Sequence, residues 1–114
     1  MTNRTMFWTA WSNGKTGTSG AGYGFRISKI DRDMNFERGW ESVWVELPFQ
    51  EEAKAIEIPI VRDGAFWRTC SELRSKRIGE WLIAVGYATW PPGSPPKFKV
   101  SVTGKRHFKI NREK

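Results

Sequence analysis

The chain has 114 residues, 39% of them hydrophobic and 27% charged, a size and balance that fit one globular domain and exclude a disordered or fibrous polymer. A single cysteine, Cys70, excludes an intrachain disulfide, so a reducing, cytoplasmic setting is expected. The first residues, MTNRTMFWTAW, hold no continuous apolar stretch, and the longest apolar run, Trp81 to Val85, is far short of the roughly 20 residues that span a bilayer, so neither an export signal nor a membrane segment is expected.

Thr5 to Trp11, TMFWTAW, is rich in aromatic and β-branched residues on both alternating faces, which predicts a strand buried on both sides. The glycine-rich stretch from Ser12 to Gly24 reads as a mobile loop or wide turn, of a kind that could carry function. Tyr23, Phe25 and Ile27 then alternate with Gly24, Arg26 and Ser28, a strand with one wet face that pairs with the first. Asp31 to Arg38 has turn formers and no sustained period, so it is a connection with room for a helical turn.

From Trp40 to Leu47 the alternation resumes, with Trp40 and Trp44 on the face that also holds Ser42 and Glu46. A turn over Pro48 to Ala53 leads to a strand from Ala55 to Val61, which Pro59 confines to an edge because proline lacks the N–H that a ladder needs. Between Gly64 and Tyr87, Phe66, Cys70 and Leu73, then Ile78, Trp81, Leu82 and Val85, recur at helical steps. The two stripes are out of phase and Arg74 and Arg77 fall in the gap, so a break near Arg74 to Lys76 is expected. Thr69 with Glu72 has capping-box spacing, Ser75 is an alternative cap, and Gly86 is a stop. Thr89 to Pro96, with four prolines, is an extended connector. A terminal β-hairpin follows, with Phe98, Val100, Val102, Phe108 and Ile110 on one side and Lys97, Lys99, Lys105, His107 and Lys109 on the other, before residues 111–114 fray.

Charge is distributed unevenly. Residues 1–30 carry four bases and no acid, residues 31–63 nine acids and four bases, and the last 18 residues seven bases and one acid, so the net charge of +7 sits mostly at the C-terminal end. The basic hairpin, including Arg106, is therefore the foremost candidate for binding nucleic acid or another acidic partner. The plainer reading of the same lysines is a solubilising face that blocks edge pairing. Phe98 and Phe108 point inward on this pattern, so they offer the lysines no stacking partners.

Other motifs carry less. Asn13-Gly14-Lys15-Thr16 resembles the end of a phosphate loop, but the first glycine of that pattern falls on Thr9 and no helix follows. Gly20, Gly22 and Gly24 miss the dinucleotide spacing. Cys70, on an apolar stripe, reads as a small buried hydrophobe, and His107 is the only histidine, so no metal or triad site is expected and no cofactor is implied. Asp31, Asp33, Glu52 and Lys54 have the residue types of a metal-dependent nuclease, with Glu52 and Lys54 placed in a turn, and surface charge is the simpler account. Trp40 and Trp44, if uncovered, would mark an interface for a partner or for a second copy of the chain.

The aromatic first strand, GYGF, ELP at the end of the middle strand, CSELRSKRIGEWL and WPPGSPPKF together resemble a family of short uncharacterised bacterial proteins over nearly the whole chain. The resemblance implies no activity and no site residues. The expected fold is α+β: a largely antiparallel sheet of five or six strands, with a bent helix or two short helices over about residues 65–86 packed on one face. The expected function is a non-enzymatic binding module for nucleic acid or an acidic protein. Self-association is the alternative, and a nuclease-like enzyme comes third.

Overall fold

The computed structural model describes residues 6–13, 19–49, 52–60, 65–68, 71–87, 90–91 and 93–111. The elements in chain order are β1 (Met6–Ser12), β2 (Tyr23–Arg26), α1 (Lys29–Asn35), β3 (Ser42–Pro48), β4 (Ala53–Pro59), α2 (Ala65–Arg68), β5 (Glu72–Arg74), α3 (Lys76–Ala84), β6 (Lys97–Gly104) and β7 (His107–Ile110). The fold is α+β, as expected, but one sheet of seven strands runs in the order β4-β3-β7-β6-β1-β2-β5. Its ladders are antiparallel except for β3 with β7, which is parallel, so the sheet is mixed. The end strands β4 and β5 approach each other, and the sheet curls into a nearly closed barrel.

Period-two burial decides which side chains face inward. Met6, Trp8 and Ala10, Tyr23 and Phe25, Val43, Val45 and Leu47, Ile56 and Ile58, Leu73, Phe98 and Val100, and Phe108 and Ile110 are all buried. Phe36, Phe66, Trp81 and Leu82 join them from the helical segments. The rings interlock: Phe36 stacks on Phe108 at 4.8 Å between centroids, and Trp81 meets Phe98 edge-on at 5.1 Å. Trp81 is also tied down by its polar end, the indole N–H donating to the Pro48 carbonyl at 2.9 Å.

Local signals explain the helix ends. Ser28 caps α1, its hydroxyl accepting from the Asp31 N–H at 3.1 Å. Ser75 caps α3 by accepting from the Arg77 N–H, so the break expected near residue 75 is real. Gly86, at φ 90°, ends the helix, and the Tyr87 N–H reaches back to the Leu82 carbonyl. The capping role considered for Thr69 and the burial considered for Cys70 lie outside the described residues, as does the segment around Lys15.

Four expectations need correction. Glu72 to Arg74 is not helix but strand β5, because its Leu73-in, Glu72 and Arg74-out alternation pairs with β2 and gives the Glu72 carboxylate two cationic partners. β1 is buried on one face only: Phe7 is 49% exposed. Trp40 precedes β3 and does not share the face of Trp44; it packs toward the core, 5.9 Å from the Phe36 ring. β4 begins at Ala53, so Lys54 belongs to a strand; Pro59 closes that strand, which is indeed an edge.

Candidate nucleic-acid interface

The inward residues fill the barrel, so their neighbours in sequence line its outer face. Phe7, Thr9 and Trp11 of β1 are thereby placed beside Lys97, Lys99 and Ser101 of β6, His107 and Lys109 of β7, and Ser42, Trp44 and Glu46 of β3. The registers set specific neighbours. Phe7 is opposite Lys99, Thr9 lies between Lys97 and Arg26, and Lys109 lies between Ser101 and Glu46.

Trp44 faces His107 across the parallel ladder, and the two rings are stacked nearly parallel, 10° apart with centroids at 6.2 Å. This ring pair is available because the β6–β7 turn holds β7 against β3. The Trp44 N–H donates to the Arg106 carbonyl at 2.8 Å, and the Arg106 guanidinium donates to the Ser42 carbonyl at 3.3 Å. Arg106 sits at φ 62°, the left-handed region that a tight turn requires. Arg106 is therefore a turn anchor. Lys105 occupies the other turn position, beyond the strand face that carries Lys97, Lys99, His107 and Lys109.

At the opposite end, β2 and β5 carry a second cluster. The Glu72 side chain is 5% exposed and its carboxylate accepts from both flanking arginines. Arg26 donates to Oε2 from Nη2 at 2.9 Å and from Nε at 3.3 Å, while Arg74 donates to Oε1 from Nη2 at 2.8 Å and from Nε at 3.2 Å. The Arg74 guanidinium also lies over the Trp11 ring, 4.7 Å from its centroid.

The face thus brings together four of the six basic residues singled out from the sequence and Trp44, and leaves Trp40 half-buried against the core. Phe7, Trp11, Arg26, Glu72 and Arg74 were not foreseen as part of it. The signal for the first two was present in β1, where Met6, Trp8 and Ala10 form one alternating set and Phe7, Thr9 and Trp11 the other. The cationic strip ends at β3 and β4, where Glu46 stands beside Lys109 and Glu57 accepts from the Ser42 hydroxyl at 2.6 Å.

Elsewhere the described residues offer less. Asp33 is engaged by Arg32 at 2.9 Å, and Glu52 and Lys54 form a 4.0 Å pair with both side chains more than half exposed. Among the described residues no three His, Cys, Asp or Glu side chains gather to hold a metal. A shallow groove of about 500 Å³ is lined by Lys54, Ala55, Ile56, Glu57 and Arg77, which include neither a nucleophile nor a histidine. No described helix is long and apolar enough to cross a membrane. Comparison with family models, with curated proteins and with solved structures gives no match to the chain.

Proposed function

We propose that the chain is a non-enzymatic binding module that takes single-stranded nucleic acid on the outer face of its sheet. One observation carries the reading: exposed Phe7 and the Trp44–His107 pair share that face with Lys97, Lys99 and Lys109. Such a combination suits a single strand, because flat rings stack on unpaired bases while ammonium groups meet phosphates, and a duplex keeps its base faces hidden. The rings are what an acidic protein partner would not need. Self-association through tryptophans has lost Trp40, which packs on Phe36.

Titration of fluorescently labelled oligothymidylate, oligouridylate and duplex DNA, followed by anisotropy at low and moderate salt, tests the reading. The single strands are expected to bind more tightly than the duplex, with log K falling linearly against log salt. A triple variant, Lys97→Gln, Lys99→Gln and Lys109→Gln, is expected to bind more weakly and with a shallower slope. No binding of any strand at low salt would overturn the proposal.

A further inference from the structure

Resting on that reading, we infer that Arg26 and Arg74, clamped by Glu72, form a phosphate subsite for the bound strand at the β2–β5 end of the face. Each guanidinium presents Nε and one Nη2 hydrogen to the carboxylate and so engages it along a single edge. The remaining three N–H groups of each fork are left for another acceptor, and the two side chains are 59% and 54% exposed. Two cations against one anion leave the cluster with a net positive charge. Fixing by Glu72, and stacking of Arg74 on Trp11, means that much of the side-chain ordering a phosphate contact demands is completed on folding.

Position ties the clamp to the rest of the face. Arg26 is opposite Thr9, and Thr9 opposite Lys97, so only the neutral Thr9 of β1 separates the arginines of β5 and β2 from the lysines of β6. Counting strands at about 4.8 Å and residues at about 3.3 Å, the diagonal from Trp44 to the arginines is on the order of 30 Å along the surface. Grooves of this kind cover about 4 to 16 nucleotides, so one strand can reach both ends.

Removing the arginines alone would strand a buried carboxylate, so the informative variant replaces all three: Arg26→Gln, Glu72→Gln and Arg74→Gln. It lowers the net charge by one but removes two phosphate contacts. With a labelled oligothymidylate, affinity is expected to fall at least about tenfold at low salt, and the salt slope to flatten by about 1.4, since each contact on a single strand contributes about 0.7. A general charge effect would flatten it by half that. An unchanged slope in a variant whose circular dichroism matches the parent overturns the inference while leaving binding on the lysine and aromatic side intact. Absence of binding by the parent chain overturns both. A measurement on the unaltered protein guards against misfolding of the variant: affinity should keep rising as oligothymidylate is lengthened beyond three nucleotides, and saturation at a trinucleotide would overturn the clamp as a subsite.

Discussion

The backbone of Gly20 lies directly against Gly79 of α3, so closely that a β-carbon at Gly79 would overlap the Gly20 carbonyl. Gly20 itself is held at φ 96° against the backbone of Lys76 and Glu80. The end of the glycine-rich segment is therefore a packed contact between loop and helix, and the glycines there are required by close approach rather than by looseness. Gly79→Ala is expected to lower stability by about 1–3 kcal/mol or more, because both sides of the contact are main chain and neither can swing away. Urea denaturation checks this, with Gly39→Ala, which has open space around it, expected to stay within about 0.5 kcal/mol of the parent.

The two halves of the Arg26–Glu72–Arg74 cluster differ in what their loss leaves behind. Without Glu72, two half-exposed guanidiniums regain water; without both arginines, a carboxylate that is 5% exposed loses the cations that hold it. Glu72→Gln is therefore expected to cost about 1–2 kcal/mol, and the double change Arg26→Gln with Arg74→Gln about 3–5 kcal/mol. Equal losses in thermal or urea unfolding would show that the carboxylate is better solvated than its burial implies.

Phe7 offers the most direct separation of binding from folding. Its ring is 49% exposed on the outer face, opposite Lys99. Phe7→Ser should leave unfolding within about 0.5 kcal/mol while weakening oligonucleotide binding by about 1–3 kcal/mol, the range for one stacked base. Trp44→Ala should weaken binding by a similar amount, and it should do so without altering the salt slope, since a ring contacts no phosphate.

Arg32 is the one buried arginine among the described residues, at 6% exposure, and it holds α1 to α2. Its guanidinium donates to the Phe66 carbonyl at 3.0 Å and to Asp33 at 2.9 Å, and it lies 5.1 Å from the Trp67 ring, which Arg38 approaches at 4.7 Å. Arg32→Met keeps the apolar stem but leaves the Phe66 carbonyl unpaired, and is expected to cost about 1–3 kcal/mol in equilibrium unfolding.

The inward half of this architecture is legible in the chain, because alternation over Tyr23 to Ile27, Val43 to Leu47 and Phe98 to Val100 reports burial wherever one face is dry, although Val102, expected inward with Phe98 and Val100, is 53% exposed where the ladder to β7 becomes irregular. Ser75 and Gly86 mark the ends of α3 for equally local reasons. What local pattern does not hold is pairing. Leu73 satisfies a helical stripe and a strand alternation alike, and the strand is selected by the ladder to β2, which sets Arg26 across from Glu72 while Arg74 of the same strand engages it from beside. Phe7 and Trp11 look like core residues by composition, and their exposure follows from the set Met6, Trp8 and Ala10 being the one that fits inside the barrel. The face that gathers Phe7, Trp44 and the lysines depends on β7 entering beside β3, a long-range choice no window of sequence contains.

That entry of β7 between β3 and β6 has a kinetic consequence. The β3–β4 hairpin can form early and locally, as can β1 with β2, yet within the sheet the two are joined through the C-terminal β6–β7 hairpin, whose last strand makes the contact to β3. Trp44 with His107, and Val45 with Phe108, are contacts between residues more than sixty positions apart, and closing such a loop must precede any gain from the ladder. The rate-limiting event of folding should accordingly be the docking of β7, with the two hairpins already structured when it occurs. Substitutions at Phe108 would then slow folding, whereas those at Pro59 on the far edge would act chiefly on unfolding.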